Sequence, residues 1–181
     1  MKKLFLTLAF SFICLFAYAA SPVTYYFNAY DSGGEEWESN PSYMVDGFDD
    51  RYAVASGIGD VQLLTGNTCA GTNLGTITKV ELRAFAASGT DYDDVYLRPV
   101  FPLTGDGDNH DIGSLGGEWS AYIDITSDTN APETWSWTNV QNLDCDVEDY
   151  GENLVRPRVS KVEIRVTYTG GAARRRIIMV E

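Results

Sequence analysis

The chain has 181 residues, with 26 acidic against 13 basic side chains and a formal net charge of −13. That length suits one domain with a real hydrophobic core. So negative a field excludes nucleic acid and anionic lipid surfaces as natural partners, and it favours cations, neutral sugars and solubility.

The N-terminus carries Lys2 and Lys3, an apolar run from Leu4 to Ala17 broken only by Thr7 and Ser11, and then Ala17-Tyr18-Ala19. Positive start, short apolar stretch and small residues at the cleavage positions predict a removable secretion signal over residues 1–20, cut after Ala19 or Ala20. The run is too short to span a bilayer, and Cys14 falls within it. Cutting there removes two basic residues and no acidic one, so the exported protein is more acidic still. Residues 21–170 then form the domain, and 171–181 a compositionally distinct tail.

Through the domain no window keeps a helical period. Short alternating runs separated by Gly, Asp, Asn, Ser and Pro recur instead. They predict strands at Val23–Tyr30, Ala53–Ser56, Asp60–Leu64, Ile77–Ala86, Asp94–Val100, Trp119–Ile125, part of Ser136–Cys145, and Val159–Thr169. About eight strands in one domain give an all-β, antiparallel sandwich of jelly-roll type. Ile77-Thr78-Lys79-Val80-Glu81-Leu82-Arg83 and Val159-Ser160-Lys161-Val162-Glu163-Ile164-Arg165 are nearly the same phrase. In each, an apolar face alternates with a Lys-Glu-Arg face, so both are half-buried strands whose charges can pair across neighbours on the solvent side.

Cys69 and Cys145 lie in polar segments, and an exported chain meets an unreducing compartment, so a disulfide between them is expected. It would close a long loop and stabilise by about 4 kcal/mol in the chain-entropy model. A zinc centre built from both thiols and His110 matches none of the usual spacings.

After Gly170-Gly171 the tail holds Arg174, Arg175 and Arg176 followed by Ile177, Ile178, Met179 and Val180. Two readings stand: an end or edge strand of its own domain, and a strand that pairs with an open edge on a neighbouring subunit.

Trp37, Asn40-Pro41, Met44-Val45-Asp46-Gly47-Phe48-Asp49-Asp50 and the strand opening at Ala53 resemble the start of discoidin-like, galactose-binding-type jelly rolls. The Trp135-x-Trp137-x-x-Val140-x-x-Leu143 stretch is similar to sandwich domains of phage tail and bacterial surface proteins. The resemblance implies a structural calcium ion in the loop carrying the Asp-Gly turn, with Asp46 as the matching ligand and Asp49 and Asp50 near enough to assist. On its residues alone Asp46-Gly47 is also simply a strong turn former. The Asp106–Asp111 cluster begins like a helical calcium loop, but His110 and Asp111 occupy positions that need an oxygen ligand and a glycine, so it reads as a solvated loop.

A hydrolase triad is improbable with one histidine and no nucleophile elbow, and no Gly-rich phosphate loop opens a helix. A glycosidase carboxylate pair is not excluded by composition. The tryptophans serve either as core or as a stacking platform for sugar, with Trp37 and Trp119 the candidates for contact. Two functions therefore stand open: a structural or adhesive surface subunit that self-associates through its C-terminal strand, and a calcium-dependent module binding a neutral glycan.

Overall fold

In the computed structural model, residues 20–33, 37, 39–87, 94–113, 115–150 and 156–170 are described. Among the described residues eleven strands run in chain order: β1 (Ala20–Tyr30), β2 (Ala53–Val54), β3 (Val61–Asn67), β4 (Gly75–Ala87), β5 (Asp94–Phe101), β6 (Gly105–Asp106), β7 (His110–Asp111), β8 (Gly116–Trp119), β9 (Ile123–Asp124), β10 (Asp144–Tyr150) and β11 (Arg158–Gly170). A 3-10 turn covers Pro41–Met44, and one short helix, α1, covers Trp137–Gln141. The fold is all-β and antiparallel, as the alternating pattern requires.

Strand β1 joins two layers. Its first part, to Tyr26, pairs with β11, and from Phe27 onward it pairs with β3. The first layer is β1, β11 and β4, with β8 and β9 along the outer edge of β4 and β2 on the start of β11. In the second layer β3, β10 and β5 lie side by side, with β6 and β7 along β5. Val80, Leu82 and Ala84 of β4 and Val162, Ile164 and Val166 of β11 join Leu64, Val95, Leu97 and Val147 in a single core cluster. Burying each large aliphatic side chain there contributes about 1.5–3 kcal/mol.

Three local expectations need correction. The segment from Ser136 begins as a helix, because Ser136 Oγ accepts from the Asn139 amide at 3.2 Å and Asn139 Oδ1 accepts from the Ser136 amide at 2.9 Å, a reciprocal cap. The strand expected over Trp119–Ile125 is interrupted at Ser120–Tyr122, leaving β8 and β9 as separate pieces on β4. The repeated Lys-Glu-Arg phrases are direct neighbours, β4 against β11, and their charged face is covered rather than solvated.

The expected disulfide is absent. Cys69 and Cys145 are both free and buried. Cys145 sits opposite Leu64 in the β10–β3 pairing, whereas Cys69 lies beyond the end of β3 with its thiol toward the Trp137 carbonyl at 3.9 Å. Burial pushes the Cys145 thiol well above its ordinary range and removes thiolate reactivity. Beside Cys69, burial first and the neighbouring thiol second push Tyr25 up to about 12. In protein purified without reductant, a thiol reagent is therefore expected to label neither cysteine in the native state and both after unfolding. Failure to label them in the unfolded, unreduced protein would mean that they are bonded.

Candidate functional site

The richest cluster of polar and aromatic groups lies on the outer face of the first layer. Alternation sends Lys79, Glu81, Arg83 and Phe85 of β4 outward, and the β4–β11 register sets Glu81 opposite Arg165 and Arg83 opposite Glu163. Arg165 grips Glu81 with two N–H donors, each at 2.7 Å, and Arg83 Nε donates to Glu163 at 2.6 Å. Lys79 adds a third contact to Glu81 at 2.7 Å. From β1, Tyr26 lies opposite Glu163 and Thr24 opposite Arg165.

Aromatic rings roof this ladder. The Arg83 guanidinium lies between Trp119 at 4.1 Å and Tyr122 at 4.3 Å, and Arg165 lies over Tyr122 at 3.5 Å. Phe85 meets Trp119 edge-on at 5.5 Å and Tyr52 at 6.3 Å. Lys161 covers Tyr26 at 4.0 Å, and the Tyr122 hydroxyl donates to Glu163 at 3.1 Å. Under this roof Glu81 is only 2% exposed and Glu163 only 3%.

Buried carboxylates are tolerated only when their lone pairs are filled and a cation is close, and each of these has both. The Arg165 hydrogen bonds hold the Glu81 carboxyl below its usual range against the opposing effect of burial. Burial, followed by the Glu163 charge, raises both Tyr122 and Tyr26, so these hydroxyls stay protonated and act as donors. The chemistry on offer is recognition by stacking and hydrogen bonding on the half-buried rings of Tyr26, Tyr52, Trp119 and Tyr122.

A second constellation sits at the end of the molecule where β5 and β11 finish and β4 and β10 begin. An apolar cleft of about 270 Å³ opens between the Phe101–Thr104 turn, Pro132 and the Thr138 and Asn139 side of α1. Across α1 a more polar recess of about 360 Å³ is lined by Asn73, Gly75, Thr76 and Ser136, with Trp135 and Trp137 at its base. The frame is fixed by indole hydrogen bonds, Trp137 to the Gly75 carbonyl at 2.8 Å and Trp135 to the Thr126 carbonyl at 2.9 Å. The Asn67 amide caps the other end of α1 by donating to the Val140 carbonyl at 2.9 Å. Leu103, at the lip of the apolar cleft, is 93% exposed.

The residues expected to carry function are scattered. Trp37 is 1% exposed and donates its indole N–H to the Asp60 carbonyl at 3.2 Å, so it is core and offers no ring to a ligand. Trp119 does reach the surface, as part of the roof. Asp46 closes its own turn by accepting from the Phe48 amide at 2.8 Å and pairs with Arg51 at 3.1 Å, while Asp49 and Asp50 point to solvent. No group of three or more metal-ligating side chains occurs among the described residues. The Asp106–Asp111 loop is tied down, with His110 against Asp128 at 2.7 Å and Asp108 accepting from the Thr129 amide at 3.1 Å. Arg174, Arg175, Arg176, Ile177, Ile178 and Val180 lie outside the described residues.

Sequence reasoning missed Tyr122, the burial of Glu81 and Glu163, and Leu103. The paired Lys-Glu-Arg phrases were the available signal for the ladder, and nothing in the pattern marked Leu103.

Glu81→Gln removes the charge from the two-point Arg165 contact and is expected to cost roughly 1–3 kcal/mol at neutral pH. Because the folded carboxyl titrates below its unfolded value, its stabilisation is present above about pH 4.3 and is lost as pH falls further. Urea unfolding should therefore show the gap between wild type and variant closing below pH 4; a gap that persists there would refute the ionic origin. No family model matches this chain, and no curated protein matches it at a significant level.

Proposed function

We propose that the protein is an exported, non-catalytic β-sandwich serving as a structural or adhesive surface subunit, joined to its neighbours through its C-terminal segment. One observation carries this reading. Strand β11 is paired as far as Gly170, opposite Gly75 at the rim of the recess beside α1, and Thr138, which lines this recess, also lines the apolar cleft whose lip carries the exposed Leu103. A tail with three adjacent arginines and an apolar run has a physical reason to leave water at such a place, on an acidic body. Deleting residues 171–181 is expected to leave the unfolding midpoint within a few degrees of wild type and to abolish self-association in sedimentation velocity. Loss of folding would assign the tail to its own sandwich, and unchanged association would remove it from the assembly.

A second reading is favoured by the aromatic roof, where Trp119 and Tyr122 form a half-exposed platform of the kind that stacks on sugar rings. Here the protein would be a module for a neutral glycan, with Asp46, Asp49 and Asp50 its candidates for holding calcium. Trp119→Ala should abolish retention on an insoluble neutral polysaccharide. Absence of retention in the wild type across a broad glycan set would discard this reading.

A further inference from the structure

Self-association through the tail leaves open what receives it and what shape the assembly takes. We infer that the assembly is a closed dimer, in which each copy seats the Ile177–Val180 run of its partner in the apolar cleft between α1 and the Phe101–Thr104 turn. This inference rests on the subunit reading above and adds the acceptor and the symmetry.

The symmetry follows from where donor and acceptor stand. Gly170 pairs with Gly75, the Gly75 carbonyl takes the Trp137 indole hydrogen, and the next residue of α1, Thr138, lines the cleft. Gly170 and the cleft thus share one end of the molecule. Two copies meeting end to end exchange tails reciprocally and satisfy both clefts at once, which closes the assembly. A chain of subunits needs donor and acceptor at different ends.

The cleft also suits this occupant. At about 270 Å³ it falls just below the ~300–1,000 Å³ of small-molecule pockets, and Phe101, Pro102, Leu103 and Pro132 make it an anchor site for one or two aliphatic side chains. From Gly170, the eleven following residues reach on the order of 35 Å when extended, ample to cross an end-to-end contact. Arg174 to Arg176 come just before the apolar run. The loops around the cleft carry Asp106, Asp108 and Glu133, all exposed. Arginines arriving with the tail therefore meet acid before the anchor is reached.

The test uses the full exported chain in sedimentation velocity over a wide concentration range, with Leu103→Asp and Ile178→Asp as variants. The expected result is a monomer–dimer equilibrium with nothing larger, weakened about ten- to hundredfold by either substitution, as loss of one buried aliphatic anchor implies. Leu103 is exposed, so its variant should unfold at the wild-type temperature. A photoreactive residue at position 178 should crosslink to the 101–104 turn of the other copy, which mixing of isotope-labelled and unlabelled protein reveals. Species growing beyond the dimer, or a crosslink confined to one copy, would overturn the exchange. A Leu103→Asp dimer as tight as wild type would overturn the cleft as acceptor and leave the subunit reading standing, whereas a wild type monomeric at all concentrations would end both.

Discussion

The pairing of β4 with β11 is the contact on which the rest of the molecule depends. It is the longest ladder of the fold, and it joins two nearly identical phrases running in opposite directions. A symmetric alignment of their Lys-Glu-Arg cores, 79–83 against 161–165, would set Glu81 against Glu163, two like charges directly opposite, which destabilises a sheet. The observed register is displaced by two residues, so each glutamate faces an arginine. Displacement the other way would set each glutamate against a lysine and forfeit the planar two-donor grip that Arg165 makes on Glu81. A slip of one residue would drive the whole charged set into the core. Charge pattern and apolar alternation therefore select the same alignment from opposite faces of the sheet.

Such a ladder makes demands of its own. Glu81 and Glu163 are too deep to keep their water, so the chain from Gly116 to Tyr122 folds back over them and supplies Trp119 and Tyr122 as partners for the arginines. Ser120 helps hold this cover in place: its amide donates to the Ala84 carbonyl at 2.8 Å and its hydroxyl accepts from the Ala84 amide at 3.1 Å. The second layer uses the same logic on a smaller scale. Arg98 pairs with Asp146 across β5 and β10, and Tyr96 stacks on Tyr150 at 4.3 Å farther along those strands. In both layers the outer face is closed by cross-strand pairs between its own side chains.

How much of this was legible in the sequence depended on the range of the interaction. Strands β5 and β11 and the inward set Val80, Leu82, Val162 and Ile164 follow from period-two alternation, which is local. The burial of Glu81 is not local, because it depends on a loop some forty residues away folding over it. Trp37 was misjudged for the same reason: only the fold brings the Asp60 carbonyl to its indole. Helix α1 escaped because five residues are too few to display a period, although Ser136 with Asn139 three positions on is a capping pair visible in the sequence. The two cysteines suggested a bridge by their count and the export context. Register sets Cys145 opposite Leu64 and leaves Cys69 beyond the end of β3, which cysteine count does not encode.

The same closure governs where a partner can approach. The two outermost long strands, β4 and β5, each have their free side occupied by short pieces, β8 and β9 along one and β6 and β7 along the other, none longer than four residues. Short, interrupted strands at a sheet edge offer a poor template for adding another strand, and this is a common protection against edge-to-edge pairing. The faces are taken up by their own ion pairs and rings. Among the described residues, the end of the sandwich is where Leu103 is 93% exposed over an apolar cleft, close to where the most extensively paired strand, β11, reaches Gly170.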